Sequence, residues 1–312
     1  MKECAVLTTI NPPNETVKVL SKSMQVIVVG DKKTPVNWFQ PFVLYMNPDT
    51  LPFNSYARKN FGYLEAMRSG ADKIFDTDDD NIPNASFKIR DEECMVALSE
   101  AKGWCNVYRY FTNDDIWQRG IPLNKIHNTL PEENLKSVTD KYPIQQGMVD
   151  NDPDVDAICR MIIRPETRFK NRLSVAIPKG TWSPFNSQST WWFKSAFPLM
   201  YLPQTVNFRV TDIWRSLIAQ RILWSMGHQL VFHSPAEVTQ ERNPHNLMAD
   251  FEDEIPMFIN NERISNILTD LKLTADICSN MTTCYDALMR GGIISWKEKE
   301  PLKQWIQDVD TI

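Results

Sequence analysis

Within five consecutive residues, Asp76-Thr77-Asp78-Asp79-Asp80, this sequence places four carboxylates. Like charges so close raise one another's cost of ionisation unless water or a cation compensates them. Mg²⁺ or Mn²⁺ does this with oxygen ligands, using one or two protein carboxylates and leaving its other positions to water and phosphate oxygens. The run therefore predicts a divalent metal site facing a diphosphate, with Asp78, Asp79 and Asp80 as ligand candidates and Asp76 as a supporting contact. The register stays open: D-x-D read from Asp76 makes Asp78 the ligand, and D-D-D read from Asp78 makes it Asp80. A hydrated acidic turn is the plain alternative.

Two rival metal chemistries can be tested on the same residues. An EF-hand loop starting at Asp76 needs Gly at its sixth position and Glu at its twelfth, where Asn81 and Phe87 stand. The run Asp150-x-Asp152-x-Asp154 fails in the same way, with Val155 and Met161. Ile74-Phe75-Asp76-Thr77-Asp78 also resembles the nucleophile strand of a haloacid-dehalogenase-like phosphatase, but Asp80 stands where that motif expects Thr or Val.

The elements that must carry the acidic run alternate in type. Cys4 to Ile10, Met24 to Gly30 and Pro41 to Met46 read as strands, and Glu15 to Leu20 as a helix after Pro12-Pro13. Ser55 to Ser69 has helical spacing and stops at Gly70, and Lys73-Ile74-Phe75 is a strand that runs into the acids. Strands separated by helices imply a mostly parallel sheet, whose ligands sit beyond the carboxyl ends of the strands. Further on, Cys105 to Phe111, Leu199 to Leu202 and Asn207 to Val210 read as extended. Ile213 to Met226 reads as a helix that Thr211 or Asp212 could cap, and Gln229 to His233 as a strand. From Asn261 onward a helical repeat of apolar residues predicts a C-terminal appendage. The expected division is 1–245 and 246–312.

Other polar groups could meet a sugar. Asn186-Ser187-Gln188 lies among Trp182, Trp191 and Trp192, and sugars stack their apolar faces on aromatic rings while amides bind their hydroxyls. Core packing is the alternative for the tryptophans. Asp152 and Asp154 are candidates for the sugar or acceptor, with a solvated loop and a helix-capping Asp154 as the other reading.

Composition limits the partners. The chain has 312 residues, 42% hydrophobic and 23% charged, and a net charge of −5, which gives no basic footprint for nucleic acid. Its six cysteines show no C-x-x-C pair, so buried free thiols are expected in place of zinc. No apolar stretch reaches the roughly 18 to 20 residues that span a bilayer.

Several blocks in order carry a resemblance. Tyr56-Ala57-Arg58-Lys59-Asn60-Phe61-Gly62, then Ser69-Gly70-Ala71, then Lys73 to Asp79 resemble the "A-R-N-x-G … G … D-x-D-D" arrangement of GT-A-type glycosyltransferases. Val28-Val29-Gly30-Asp31-Lys32-Lys33-Thr34-Pro35, Gln146-Gly147, Asp152 to Ala157, Asn186-Ser187-Gln188-x-Thr190 and Asp212-Ile213-Trp214-Arg215-Ser216 narrow this to a resemblance to the STELLO family, glycosyltransferase-like plant Golgi proteins. The matches run from Ala5 to about His233.

The resemblance implies a Rossmann-like GT-A α/β fold and transfer of a sugar from a nucleoside diphosphate sugar, of UDP or GDP type, to a glycan or glycoprotein hydroxyl, with Mn²⁺ or Mg²⁺. It implies Thr8, Thr9 and Asp31 as nucleotide contacts, Arg58 and Lys59 as nucleotide or diphosphate contacts, and His245 as a late metal ligand. It also implies Asp212 as the base of an inverting reaction, a helix cap being its other reading. A non-catalytic glycosyltransferase-like scaffold is the alternative function. With no membrane anchor in the sequence as it stands, the expectation is a soluble, cytoplasmic protein, a Golgi-lumenal fragment being the alternative.

Overall fold

The computed structural model describes residues 2–35, 37–38, 40–127, 135–163, 166–241 and 246–312. The chain opens with β1 (Glu3–Thr9), α1 (Glu15–Leu20), β2 (Gln25–Gly30) and β3 (Val43–Met46), and a single 3-10 turn, Tyr56–Arg58, leads into α2 (Lys59–Arg68). Next come β4 (Lys73–Thr77), β5 (Asn81–Pro83), β6 (Glu93–Leu98), β7 (Gly103–Trp104), β8 (Ser137–Lys141), β9 (Ile144–Asp150) and α3 (Ala157–Ile162). The second half contains β10 (Val175–Ile177), β11 (Thr181–Trp182), β12 (Ser189–Phe193), α4 (Thr211–Ser225) and β13 (Leu230–Gln240). It closes with three helices, α5 (Leu247–Thr269), α6 (Ile277–Arg290) and α7 (Lys299–Asp310).

The expected α/β architecture is present: one large central sheet flanked by helices, with helices at the C-terminal end. Among the described residues, eleven strands form the main sheet in the order β3-β2-β1-β4-β12-β9-β13-β10-β6-β8, with β5 on β13. The first four neighbours, β3, β2, β1 and β4, are all parallel, as the alternating strands and helices require. Beyond them β12 runs antiparallel to both β4 and β9. This register sets Ser189 opposite Thr77 and Thr190 opposite Asp76, so the loop 186–188 arrives beside the start of the acidic run.

Helix α2 approaches this sheet closely because residue 62 is glycine. A Cβ there would stand 2.6 Å from Val6 Cγ1 and 2.9 Å from Val29 Cγ2, distances no side chain tolerates. The 3-10 turn and the first residue of the helix deliver Tyr56 and Lys59 to the carboxyl end of β4. On the same side α4 packs against α5 and α6, and Ile213, Leu217, Met257, Ile264, Leu268 and Leu288 belong to one apolar core.

Three local expectations change. Cys105 to Phe111 is built around a 3-10 turn, Val107–Tyr110, with its aromatic residues buried on several sides. Leu199 and Met200 end a 3-10 segment, with 201 and 202 following it as coil, and residues 208–210 form a turn. The helical end begins at Leu247, before Asn261, and α5 runs through Pro256. All six cysteines are free thiols. Among the described residues, no helix is long and apolar enough to cross a membrane.

Candidate active site

A cavity of about 470 Å³ opens at the carboxyl ends of the parallel strands. Thr8 and Thr9 reach it from the end of β1, Asp31 from the residue after β2, and Asp78, Asp79 and Asp80 from the turn after β4. The opposite wall holds Arg119, Asp154, Arg160, Phe208, Arg209 and Asp212. Ligands of open α/β sheets bind at this edge, where successive strands end together and the helices lead away.

Strand β4 extends two residues further than expected and takes in Asp76. Its carboxylate is fully buried, with Lys59 Nζ donating to Oδ1 at 3.0 Å and Arg215 Nη1 to Oδ2 at 3.0 Å. It does not line the cavity, so its predicted contact with the donor becomes an internal ion pair. Lys59 is buried as well. Its ammonium also donates to Thr77 O at 2.7 Å and to Asp78 Oδ1 at 2.8 Å, so it serves as the built-in countercharge of the acidic run.

Arg58 departs from its expected place in the same way. Its guanidinium donates to Gly30 O at 2.7 Å, Leu51 O at 3.1 Å, Pro52 O at 3.3 Å, Asn47 Oδ1 at 2.8 Å and Pro48 O at 2.9 Å. These five contacts use all five donors of the fork. Arg58 ties down the segment 47–54, whose Asn54 N–H donates to Asp31 Oδ2 at 2.8 Å. It thus reaches the cavity only through Asp31 and Asn54, without lining it.

The three aspartates after β4 are held separately. Tyr56 donates its phenol to Asp78 Oδ1 at 2.6 Å, leaving Oδ2 without a hydrogen-bond donor among the described residues. Asp79 Oδ2 accepts from Thr9 Oγ1 and from Asn11 Nδ2, the latter at 2.9 Å. Asp80 accepts from Gln240 Nε2 at 2.8 Å and from Asn81 Nδ2 at 3.2 Å. Burial raises the pKa of Asp78 even against the Lys59 charge, although 26% of its side chain remains exposed. Burial, and then the Asp78 charge, push Asp80 up to about 7.

Those two carboxyls fit a divalent cation. A cation beside them reverses the shift that burial and mutual repulsion impose, and Asp78 Oδ2 is free to accept it. Among the described residues no group of three His, Cys, Asp or Glu side chains is placed to hold a metal ion. His245 lies outside the described residues.

Across the cavity, Arg119 joins two carboxylates. Its Nε donates to Asp154 Oδ1 at 2.8 Å, and Nη1 and Nη2 donate to the two oxygens of Asp212 at 3.1 and 2.9 Å. Gly120 makes this possible: its φ is +101°, and a Cβ there would meet Ile213 Cγ2 at 2.6 Å. Although burial opposes ionisation of Asp154, Arg119 holds its carboxyl below the ordinary range. Asp212 is not the helix cap. Val210 occupies that position, and Asp212 is the second residue of α4, its Oδ1 also accepting from Ile213 N at 3.0 Å. The cap of α3 is Asp156, not Asp154.

The remaining sugar candidates divide. Gln188 lines the cavity. Asn186 sits behind it, donating to Asp154 Oδ2 at 2.8 Å and to Gln188 Oε1 at 3.2 Å. Asp152 is buried against Arg160 and does not line the cavity. Trp191 is core, its ring centroid 4.8 Å from that of Phe75, because the sheet is covered on both faces. Tyr56, Arg119, Arg209, Phe208 and Gln240 were missed. Of these only Tyr56 stands in a block quoted for the resemblance, and the sequence assigns it no role.

Residues 209–311 match the family model described as STELLO glycosyltransferases. Over 297 residues the chain is 30% identical to "Probable glycosyltransferase STELLO2" of Arabidopsis thaliana, covering 84% of this chain and 38% of that protein. Over 341 residues it is 27% identical to "Probable glycosyltransferase STELLO1" of the same plant, covering 97% of this chain and 44% of that protein. The chain thus spans less than half the length of these curated relatives. Among solved structures, a mannosyltransferase from Pyrobaculum calidifontis in complex with GDP-Man and Mn²⁺ aligns with 99% of this chain and 84% of its own, at 8% identity and a TM-score of 0.41. Over most of its length the chain is thus similar to the STELLO glycosyltransferases, whose family model its residues 209–311 match.

Proposed function

We propose that this chain transfers a sugar from a nucleoside diphosphate sugar, of UDP or GDP type, to a hydroxyl of a glycan or glycoprotein. The observation that carries the reading is the meeting of the acidic run with the ends of β1 and β2 in one cavity whose far wall presents Asp212. In this reading Thr8, Thr9 and Asp31 hold the nucleotide, while Asp78 and Asp80 hold Mn²⁺ or Mg²⁺. Bound there, such a cation would neutralise charge developing on the departing diphosphate.

The chain's own residues divide the remaining work. Lys59 and Tyr56 fix Asp78 so that one oxygen faces the cavity. Gln240 and Asn81 fix Asp80. The acceptor oxygen attacks the anomeric carbon, the bond from that carbon to the diphosphate oxygen breaks with its electron pair leaving on the diphosphate, and the acceptor proton passes to Asp212. Three donors already occupy the Asp212 carboxylate, which leaves room for one more. The full burial of Asp76 speaks against the phosphatase reading, whose nucleophile must meet its substrate.

The Arg119 grip on Asp212 favours one second reading, a scaffold that keeps the cavity but works through protein partners. Sugar-nucleotide hydrolysis over a panel of UDP- and GDP-sugars with Mn²⁺ separates the two. Turnover with one donor supports transfer, and no hydrolysis and no nucleotide binding across the panel favours the scaffold.

A further inference from the structure

The rings that the sequence offers to a sugar, Trp182, Trp191 and Trp192, are all buried in the core. The ring that the cavity does expose is Phe208. It is 52% exposed and lines the cavity beside Arg209 and Asp212. Its ring partner is Tyr56, met edge-on at 5.2 Å and 71°, the same Tyr56 whose phenol donates to Asp78.

The turn that carries Phe208 is pinned on both sides. Asn207 donates through Nδ2 to Asp253 Oδ1 at 2.8 Å, and its Oδ1 accepts from Arg209 N at 3.0 Å. Its carbonyl accepts from Val210 N at 3.1 Å and from the Thr211 hydroxyl at 2.9 Å. Arg209 donates from Nε and Nη2 to Glu254 Oε1 at 3.0 and 2.5 Å, and its carbonyl accepts from Arg119. A lone apolar side chain on an open surface carries no meaning. A phenyl ring on a pinned turn, in a cavity that charged side chains also line, is different, because less ordering is left for a ligand to impose.

We propose that Phe208 is the stacking platform for a pyranose ring, with sugar hydroxyls directed to Asp212 and Arg209 beside it. A pyranose has an apolar C–H face and a polar rim, and this wall pairs one exposed phenyl ring with a carboxylate and a guanidinium. The ring belongs either to the donor's glycosyl group or to the acceptor's terminal sugar. The inference rests on the glycosyltransfer reading.

The test compares the parent with Phe208→Ala and Phe208→Trp, using calorimetry with Mn²⁺ for UDP, GDP, UDP-glucose and GDP-mannose, and saturation-transfer NMR for a panel of methyl glycosides. Because Phe208 is half exposed, both variants are expected to keep the parent's melting temperature. Phe208→Ala is expected to weaken a sugar-containing ligand by about 3- to 10-fold, and Phe208→Trp to restore it. A loss confined to the sugar nucleotides assigns the donor ring, and a loss confined to the methyl glycosides assigns the acceptor ring. Equal weakening of the bare nucleoside diphosphates overturns the proposal, since the ring then stacks on a nucleobase. Unchanged binding in every arm overturns it too. A parent that binds no nucleotide defeats the glycosyltransfer reading by itself, and the methyl glycosides then decide Phe208.

Discussion

Arg119 holds Asp212 through both carboxylate oxygens, at 3.1 and 2.9 Å, across 93 residues of sequence. Asp212 is therefore anchored by a buried ion pair and is not a helix cap, which changes what its substitution should do. Asp212→Ala leaves a buried guanidinium with only Asp154 as carboxylate partner, and should cost on the order of 1 to 3 kcal/mol. Asp212→Asn keeps one acceptor oxygen and should cost less. If Asp212 takes the acceptor proton, Asn should also lower the transfer rate by about 10² to 10⁴ while donor affinity holds. Transfer within a few-fold of the parent in the Asn variant would remove the base assignment.

Arg58 should be a stability residue. Its five hydrogen bonds end on the segment 47–54 and on Gly30, so Arg58→Ala strips a buried network. The expected loss is about 2 to 4 kcal/mol in urea denaturation. Donor affinity should weaken only as far as Asp31 and Asn54 lose their positions. Parent-like stability together with a large loss of nucleotide affinity would instead make Arg58 a direct phosphate contact.

The raised carboxyls predict a pH dependence in the metal-free protein. Burial pushes Asp80 up to about 7 and Asp156 up to about 6. Such groups keep their protons in the folded state at pH values where the unfolded chain has released them. Stability should therefore fall as pH rises from about 4, with the Asp80 part of the loss complete a little above about 7. Mg²⁺ should flatten the upper part of the slope by stabilising ionised Asp80, and Asp80→Asn should remove the part that Mg²⁺ affects while leaving the Asp156 part. Urea melts at several pH values with and without Mg²⁺ measure this, and a slope indifferent to both metal and Asp80→Asn would contradict it.

Much of the local frame is legible in the sequence because its signals are local. Proline, glycine and apolar runs mark β1, α1, β2 and α2 within a few residues, and the acidic run follows β4 directly. What the sequence does not reveal comes from distance or from coverage. Gln240 meets Asp80 only because β13 runs antiparallel to β5, across 160 residues of sequence. Arg58 and Lys59 read as nucleotide or diphosphate contacts because nothing near them in the sequence says that the segment 47–54 folds over one and the acidic run over the other. Val107 to Phe111 has strand-forming residues, but that preference measures fit to a pleated sheet surface, and these side chains pack on several sides of a turn. Trp191 reads as a sugar platform because alternation along a strand does not tell whether the second face of the sheet is covered.

The central claim is that Asp78 and Asp80 bind a divalent cation against a nucleoside diphosphate. Calorimetry of UDP and GDP with and without Mn²⁺, on the parent and on the double variant Asp78→Asn with Asp80→Asn, tests it most directly. The account predicts that one nucleotide binds the parent at least about tenfold more tightly with Mn²⁺, a difference of about 1.4 kcal/mol. It also predicts that the folded double variant loses this metal dependence. Nucleotide binding that is equally tight without metal, or an unchanged metal effect in the double variant, would contradict it.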